Sequence, residues 1–459
     1  MALPRTNRFT PTEKSWILYD WANSVYAIII MAAIYPIYFT GIMTASGGNG
    51  DIWWGYATSA ATLVTAILAP FLGAIGDFHG MKKRLFSVFL ILGVIFTSIM
   101  GLTDNWQMML IGYVFSYIGF AGSLLFYDSF LTDVTTAERM DRVSAWGYAM
   151  GYLGGSTIPF IVSIALVLFG DKIGIDGVLA VKISCIMTSV WWAAFSIPFL
   201  RNVHQTHYED KPARALIAGS LRNIRRTVRE ILENKAILVF MIAYFFYIDG
   251  VNTVIHMATA YGSSLGLGST GMILALMVTQ LVAVPFSILF SRLSSRIGSI
   301  RMISIAIIVY FIICSVGFYM GYSLEAAQAA YVADSNQAAL AAALKRSSTL
   351  FWAMAVLVGT CQGGIQALSR SFFGKLIPPS RSNEFYGFFD IFGKFAAVIG
   401  PGLYALVANL TGRSSFGILS LMLLFAIGLM TIIIGRKHLR QAEIQAMEAV
   451  RLSREANGG

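Results

Sequence analysis

Long apolar stretches alternate with short polar clusters along the chain, and that rhythm sets the class of protein. A helix needs about 20 apolar residues to cross a hydrocarbon core roughly 30 Å thick. Runs of that length recur at 12–42, 53–76, 85–102, 107–131, 142–169, 178–199, 235–262, 269–291, 300–321, 349–377, 385–409 and 415–435. Apolar positions within them are continuous rather than alternating, so helices and not barrel strands satisfy the backbone in lipid. The pattern predicts an all-α membrane protein with twelve transmembrane helices in two six-helix bundles, at 1–199 and 235–435. A linker at 200–234 joins the bundles and a polar tail follows at 436–459. The first helix carries its own start signal in Thr10-Pro11-Thr12-Glu13: a hydroxyl cap, a proline at the first helical position and a glutamate closing a capping box.

Two long connections interrupt the rhythm. Within the linker, PARALIAGSLRNIRRTVREILEN reads as an amphipathic helix, with Ile217, Leu221, Ile224, Val228 and Ile231 on one face and Arg222, Arg225, Arg226 and Arg229 around the rest. Such a helix beside membrane spans is expected to lie on an anionic leaflet. An alanine-rich segment at 322–348 reads as a short helical hairpin turning at Asp334-Ser335-Asn336.

Composition agrees with the pattern: 57% of the residues are hydrophobic and only 12% charged, about half the charge of a soluble domain. The net charge of +10 is explained by location rather than by nucleic-acid binding. With both termini inside, 26 of the 33 Lys and Arg residues fall in inner segments and four in outer loops. The positive-inside rule then predicts two cytoplasmic ends for a multi-pass protein surrounded by membrane lipid. A bacterial inner membrane and a small-molecule substrate are the accompanying expectations. A monomer is expected, with protons as a candidate coupling ion. Cys185, Cys314 and Cys361 lie singly inside apolar runs, which gives no disulfide framework or zinc site. Without a P-loop, a His/Cys ligand cluster or a Ser-His-Asp constellation, the sequence suggests no cofactor, no metal and no catalysis.

The two halves repeat. Asp20, Asn23 and Ser24 in the first run match Asp249, Asn252 and Thr253 in the seventh at an offset of 229 residues. The segment Gly73–Arg84 after run 2 echoes Ser291–Arg301 after run 8, with Ser295 where Asp77 stands. Runs 5 and 11 both open on aromatic-Gly-aromatic, Trp146-Gly147-Tyr148 and Tyr386-Gly387-Phe388. Parallel repeats of six helices are a transporter arrangement.

Segment 73–84 resembles the G-x-x-x-D-x-x-G-[R/K] loop of the major facilitator superfamily. That resemblance implies that Asp77 helps latch the halves by capping the start of helix 11, with Lys82, Lys83 and Arg84 facing the inner surface. A narrower likeness rests on Trp16–Ser24 (WILYDWANS), Tyr247–Thr253 (YIDGVNT) and Gln362–Ser371 (QGGIQALSRS) leading to Asn383–Gly387 (NEFYG). Together they are similar to the autophagy-related vacuolar amino-acid effluxer family, which implies export of small metabolites, amino acids by analogy.

Ionisable groups inside membrane spans are costly unless paired or hydrated, so each is a functional candidate. Asp20 with Asn23, and Asp249 with Asn252, share helix faces one turn apart. They suggest a polar site that holds an amine or takes a proton, against the simpler reading of carboxylates bracing a neighbouring helix. Gln362, Gln366 and Arg370 form a polar stripe on helix 10, and Tyr26 and Tyr152 are candidate cavity aromatics. Arg370, Asp390 and Lys394, together with Asp77 and Asp128, read as a gate or charge cluster. Asp133, Glu138, Arg139, Asp141 and Arg142 are expected either to pair across the two inner tips or to be solvated. Lys182 is expected to snorkel outward, and Gly147, Gly151 and Gly155 to let two helices pack closely. The reading is a secondary-active transporter working by alternating access. An exporter or flippase of amphiphiles or drugs, and a transport-inactive sensor or scaffold, are the alternatives.

Overall fold

The computed structural model describes residues 8–46, 50–209, 220–334 and 337–457. Twelve helices among them are long and apolar enough to cross a membrane: Pro11–Met43, Ile52–Gly76, Met81–Leu102, Trp106–Val134, Ala137–Ile173, Gly177–Asn202, Lys235–Ala258, Leu274–Ile297, Ser299–Val332, Gln337–Leu376, Pro379–Thr411 and Ser414–Ala449. They are called helices 1 to 12 below. Their boundaries follow local chemistry. Thr10 Oγ1 accepts from Glu13 N–H at 3.1 Å while Glu13 Oε2 accepts from Thr10 N–H at 2.8 Å, the expected reciprocal cap. Asn105, Asp176 and Asn234 cap helices 4, 6 and 7 through side-chain oxygens.

Two compact units emerge. The first comprises residues 1–229 together with Ile377–Asp390, the opening of helix 11; the second comprises Glu230–Leu376 and Ile391–Gly459. In the first unit the interior is aromatic: Trp16 stacks on Tyr127 at 4.4 Å, and Tyr19, Phe86, Phe130 and Phe199 complete the cluster. Helices 1 and 5 each contain a π-helical stretch, Ala27–Ala33 and Gly151–Thr157, and widened turns of this kind collect at functional positions.

Helix 5 meets helix 1 through glycine. A Cβ at Gly151 would stand 2.6 Å from Ser24 Oγ, and one at Gly155 2.5 Å from Ser24 Cβ. Gly154, outside the expected four-residue repeat, accommodates the Trp21 ring in the same way. In the second unit Gly400 on helix 11 faces Thr253 on helix 7, the repeat counterpart of Ser24. The internal repeat therefore extends to packing: a hydroxyl residue on helix 1 or 7 seats against a glycine on helix 5 or 11.

The long connections are partly as expected. The linker contains a helix at Ser220–Glu233; residues 210–219, with Ile217, lie outside the described residues. Its buried face is Thr227 and Ile231, whereas Val228 is 39% exposed and Leu232 60%. The apolar face is thus split between packing inward and pointing out. Around 322–348, helix 9 continues unbroken to Asp334 and helix 10 begins at Gln337, so the hairpin is an extension of two membrane helices. Its turn residues Ser335 and Asn336 lie outside the described residues. Lys182 pairs with Asp104 at 2.6 Å rather than merely reaching for water.

Candidate functional site

Asp249 sits near the middle of helix 7 with no exposed surface. Its Oδ1 accepts from the backbone N–H of Gly400 at 2.8 Å and from Thr253 Oγ1 at 3.5 Å; its Oδ2 is buried with no hydrogen-bond partner among the described residues. The approach depends on helix 11. Pro401 lacks an N–H and crowds the carbonyl four residues back, which loosens the helical ladder at that level. Gly400 beside it has no side chain, and a Cβ there would fall 2.6 Å from Asp249 Oδ1. The in-helix partner is Thr253, one full turn on, and not Asn252, which is only half-buried. Two residues before Asp249, on another face of helix 7, Tyr247 shares a 2.6 Å hydrogen bond with Ser369 of helix 10.

Gln362 is buried and lines a cavity of about 60 Å³ inside the second unit, with Tyr261, Gln280, Cys314 and Met354 among its walls. That is room for a few water molecules. Gln280 Oε1 is buried there without a partner among the described residues, so a water is a natural occupant. Gln366 is half-buried and lies outside this cavity.

In the first unit, Asp20 and Asn23 are both buried, and Asn23 Nδ2 has no hydrogen-bond partner among the described residues. The Asp20 backbone carbonyl accepts from Ser24 Oγ at 2.7 Å, on the face that Gly151 approaches. Tyr26 directs its hydroxyl to Ser116 at 2.7 Å between Phe120 and Trp192, inside the helical packing. Tyr152 is buried within the π-helical stretch next to Tyr148. Arg370 is buried, Asp128, Asp390 and Lys394 are half-buried, and none of these, nor Asp20, is without an interaction partner.

The loop after helix 2 forms a second polar centre. Asp77, 3% exposed, accepts from Asn383 N–H at 2.9 Å and Nδ2 at 3.0 Å through Oδ1, and from Glu384 N–H at 3.0 Å through Oδ2. The two backbone N–H groups belong to the first turn of helix 11, where such groups have no partner within their own helix, so Asp77 caps helix 11 from another element. Gly73 permits the approach: a Cβ there would meet the Asn383 carbonyl oxygen at 2.5 Å. Ser129 Oγ also donates to Asn383 Oδ1. Lys82, expected at the inner surface, is instead fully buried, because Asp133 lies buried opposite it at 2.6 Å; it also donates to Ser382 Oγ at 2.8 Å. Arg139 too pairs locally, with Glu13 at 2.6 Å, and Thr135 donates to the same carboxylate at 2.7 Å. Neither Asp133 nor Arg139 is simply solvated, since each finds its counter-charge inside the first unit.

Burial pushes the Asp77 carboxyl up to about 7, against the pull of the Lys82 charge and of the Glu384 and Asn383 N–H groups. A carboxyl raised above its unfolded value of about 3.9 contributes stability that is full below that pH and lost as pH rises toward 7. The stability advantage of the wild type over Asp77→Asn should therefore shrink between pH 5 and 7, by at most about 1.4 kcal/mol per pH unit. It should level off near pH 8. Thermal unfolding of the purified pair across that range measures it, and a difference that stays constant or grows with pH would refute the assignment.

Glu13, Lys82, Thr253, Gly400, Arg381 and Glu209 are the residues that sequence reasoning passed over or placed at the surface. A signal existed for Gly400, in the helix-loosening Gly400-Pro401-Gly402 inside an apolar run. Glu13, Lys82 and Thr253 lie in the capping box, the loop motif and the repeat, which do not reveal their long-range partners, and no local pattern marks Arg381 or Glu209.

A sequence model of the family described as "Vacuole effluxer Atg22 like" matches residues 54–138 and 132–443. The uncharacterised MFS-type transporter YxiO of Bacillus subtilis (strain 168) is 42% identical over 429 residues, covering 92% of this chain and 94% of that protein. Autophagy-related protein 22 of Cryptococcus neoformans var. neoformans is 25% identical over 321 residues, and the match takes in 68% of this chain but 53% of that protein. The chain thus spans about half the length of the fungal relatives it matches. Among solved structures, a bacterial homologue of the iron transporter ferroportin in an outward-facing state aligns with a TM-score of 0.61 at 14% identity, covering 94% of this chain and 98% of that one. The proton:xylose symporter XylE aligns with a TM-score of 0.58 at 13% identity, covering 92% and 94%. These two likenesses concern the fold alone.

Proposed function

The chain belongs to the Atg22-like vacuole-effluxer family of major-facilitator transporters, and on that premise we propose that it exports a small zwitterionic metabolite, an amino acid, with Asp249 as the proton-coupling group. The observation that carries this reading is the bare Oδ2 of Asp249, wholly buried in a membrane helix. A carboxylate oxygen without a donor in that setting costs several kcal/mol. A proton satisfies it, and so does the ammonium group of a bound solute. One carboxyl that takes either cation, but not both, is the minimal device for exchanging protons against an amine-bearing substrate. The family description, a vacuole effluxer, supports the movement of a solute across a membrane. The excess of Lys and Arg on the side of the 77–84 loop supports cytoplasmic termini in a bacterial inner membrane. Two six-helix halves alternating around a midplane site would complete the cycle.

The test is amino-acid flux in proteoliposomes under an imposed pH gradient. The wild type should accumulate or release solute in proportion to the gradient. Asp249→Asn, which keeps an acceptor for Gly400 N–H but cannot titrate, should lose gradient-driven flux by about tenfold or more while retaining solute exchange at equilibrium. Gly400→Ala should impair the same step by displacing the carboxyl that it leaves in place. Flux that ignores the gradient, with Asp249→Asn equal to wild type, would end the proton-coupling proposal.

A further inference from the structure

The first stretch of the central linker, residues 203–209, does not run free between helix 6 and the linker helix. Gln205 Nε2 donates to the Gly76 carbonyl at 3.1 Å, and Glu209 N–H donates to the Asp77 carbonyl at 2.8 Å. Between them, the N–H groups of Thr206 and His207 both reach Asp133 Oδ1 at 2.8 Å, and Thr206 Oγ1 joins them at 2.9 Å. The Tyr208 ring meets His79 edge-on at 4.5 Å. A tether would leave these groups to water. Here successive residues are fastened to the Asp77 loop and to the end of helix 4.

The far end of the stretch holds the start of helix 11. Glu209 carries its carboxylate 3.7 Å from Arg381 and 3.2 Å from Arg226 of the linker helix. Arg381 is 7% exposed and also donates to Thr227 of that helix and, at 2.9 Å, to Glu384. Arg381 immediately precedes the turn whose N–H groups Asp77 captures, so its position sets theirs.

We infer that the linker is a strap of the Asp77 latch: Glu209 and Thr206 are positioning residues that keep the start of helix 11 seated on the 77–84 loop. In a transporter whose cycle requires helix 11 to leave that loop, the strap raises the occupancy of the seated state. This rests on the transporter family and not on the identity of the solute or on proton coupling.

Spin labels at the exposed positions Arg84 and Pro379, introduced as Arg84→Cys and Pro379→Cys in the full chain in nanodiscs, report the separation of loop and helix 11 by pulsed electron resonance. Glu209→Gln removes a charge-assisted contact and should raise the long-distance population about fivefold. Thr206→Val, which spares every ion pair, should raise it by a smaller factor of about two to three. Arg226→Gln removes the ion pair with Glu209 while Arg381 still faces that carboxylate, and should leave the distribution near that of wild type. If Glu209→Gln and Thr206→Val lower the melting temperature without changing the distances, the linker is only a structural tether and the inference fails. A population shift with Arg226→Gln as large as with Glu209→Gln would equally overturn the role given to Arg381. Because no solute enters the measurement, its outcome is separate from that of the flux experiment.

Discussion

Lys82→Met is expected to destabilise the protein by roughly 3–5 kcal/mol, the cost typical of breaking a buried ion pair from one side. The Lys82 and Asp133 side chains have no exposed surface and meet at 2.6 Å. Lys82 also holds Ser382 Oγ at 2.8 Å and lies over the Phe130 ring at 5.1 Å. Methionine fills much the same volume, so the loss is electrostatic rather than a cavity. Asp133 would keep its donors from Thr206 and His207 at Oδ1 but lose the charge facing Oδ2. The paired variant Lys82→Met with Asp133→Asn should recover most of the loss, because the buried negative charge is then gone as well. Chemical or thermal unfolding of the three proteins in one detergent checks this. Equal damage in the single and double variants would mean that packing, not the unpaired charge, is responsible.

Gly155→Val should be strongly destabilising, at about 3 kcal/mol or more, the upper end of overpacking costs. A Cβ at Gly155 would lie 2.5 Å from Ser24 Cβ and 3.0 Å from the Trp21 carbonyl oxygen, so backbone stands on the other side. No rotamer change relieves that contact; helices 1 and 5 have to separate. Separation would move Asp20 and Asn23, which share this stretch of helix 1, so transport should fall together with stability. Gly41→Val is the matched control. Its Cβ would meet nothing within 4 Å, and its effect should stay near the few tenths of a kcal/mol of ordinary surface changes. Yield and melting temperature of the two variants after detergent extraction separate them.

The polar chemistry was legible in the sequence to different depths. Asp249 stood out because a carboxylate in the middle of an apolar run has no ordinary reason to be there. Its partner did not, because Gly400 lies 151 positions away and contributes only a backbone N–H. Asp77 was placed at the start of helix 11 through its loop motif, and the three N–H donors from Asn383 and Glu384 bear that out. Lys82 in the same motif was placed at the surface. Its neighbours in sequence are basic, and nothing local reveals that Asp133 waits 51 positions on in a buried setting. Glu13 was read as half of a capping box, which it is, yet a carboxylate has lone pairs left over. Those go to Thr135 and Arg139.

Hydrophobic periodicity and length determined, without any structure, the helical class, the twelve crossings and the repeat of Asp20-Asn23-Ser24 in Asp249-Asn252-Thr253. Those are properties of runs, and a bilayer leaves runs of that length few alternatives. Tertiary structure alone decided which polar groups meet. It set Gly155 against Ser24 and Gly400 against Thr253, joined the opening of helix 11 to the first unit, and laid residues 203–209 across the Asp77 loop. A hydrogen bond or ion pair depends on distances of about 3 Å between atoms far apart in the chain. No pattern within a 20-residue window contains that information.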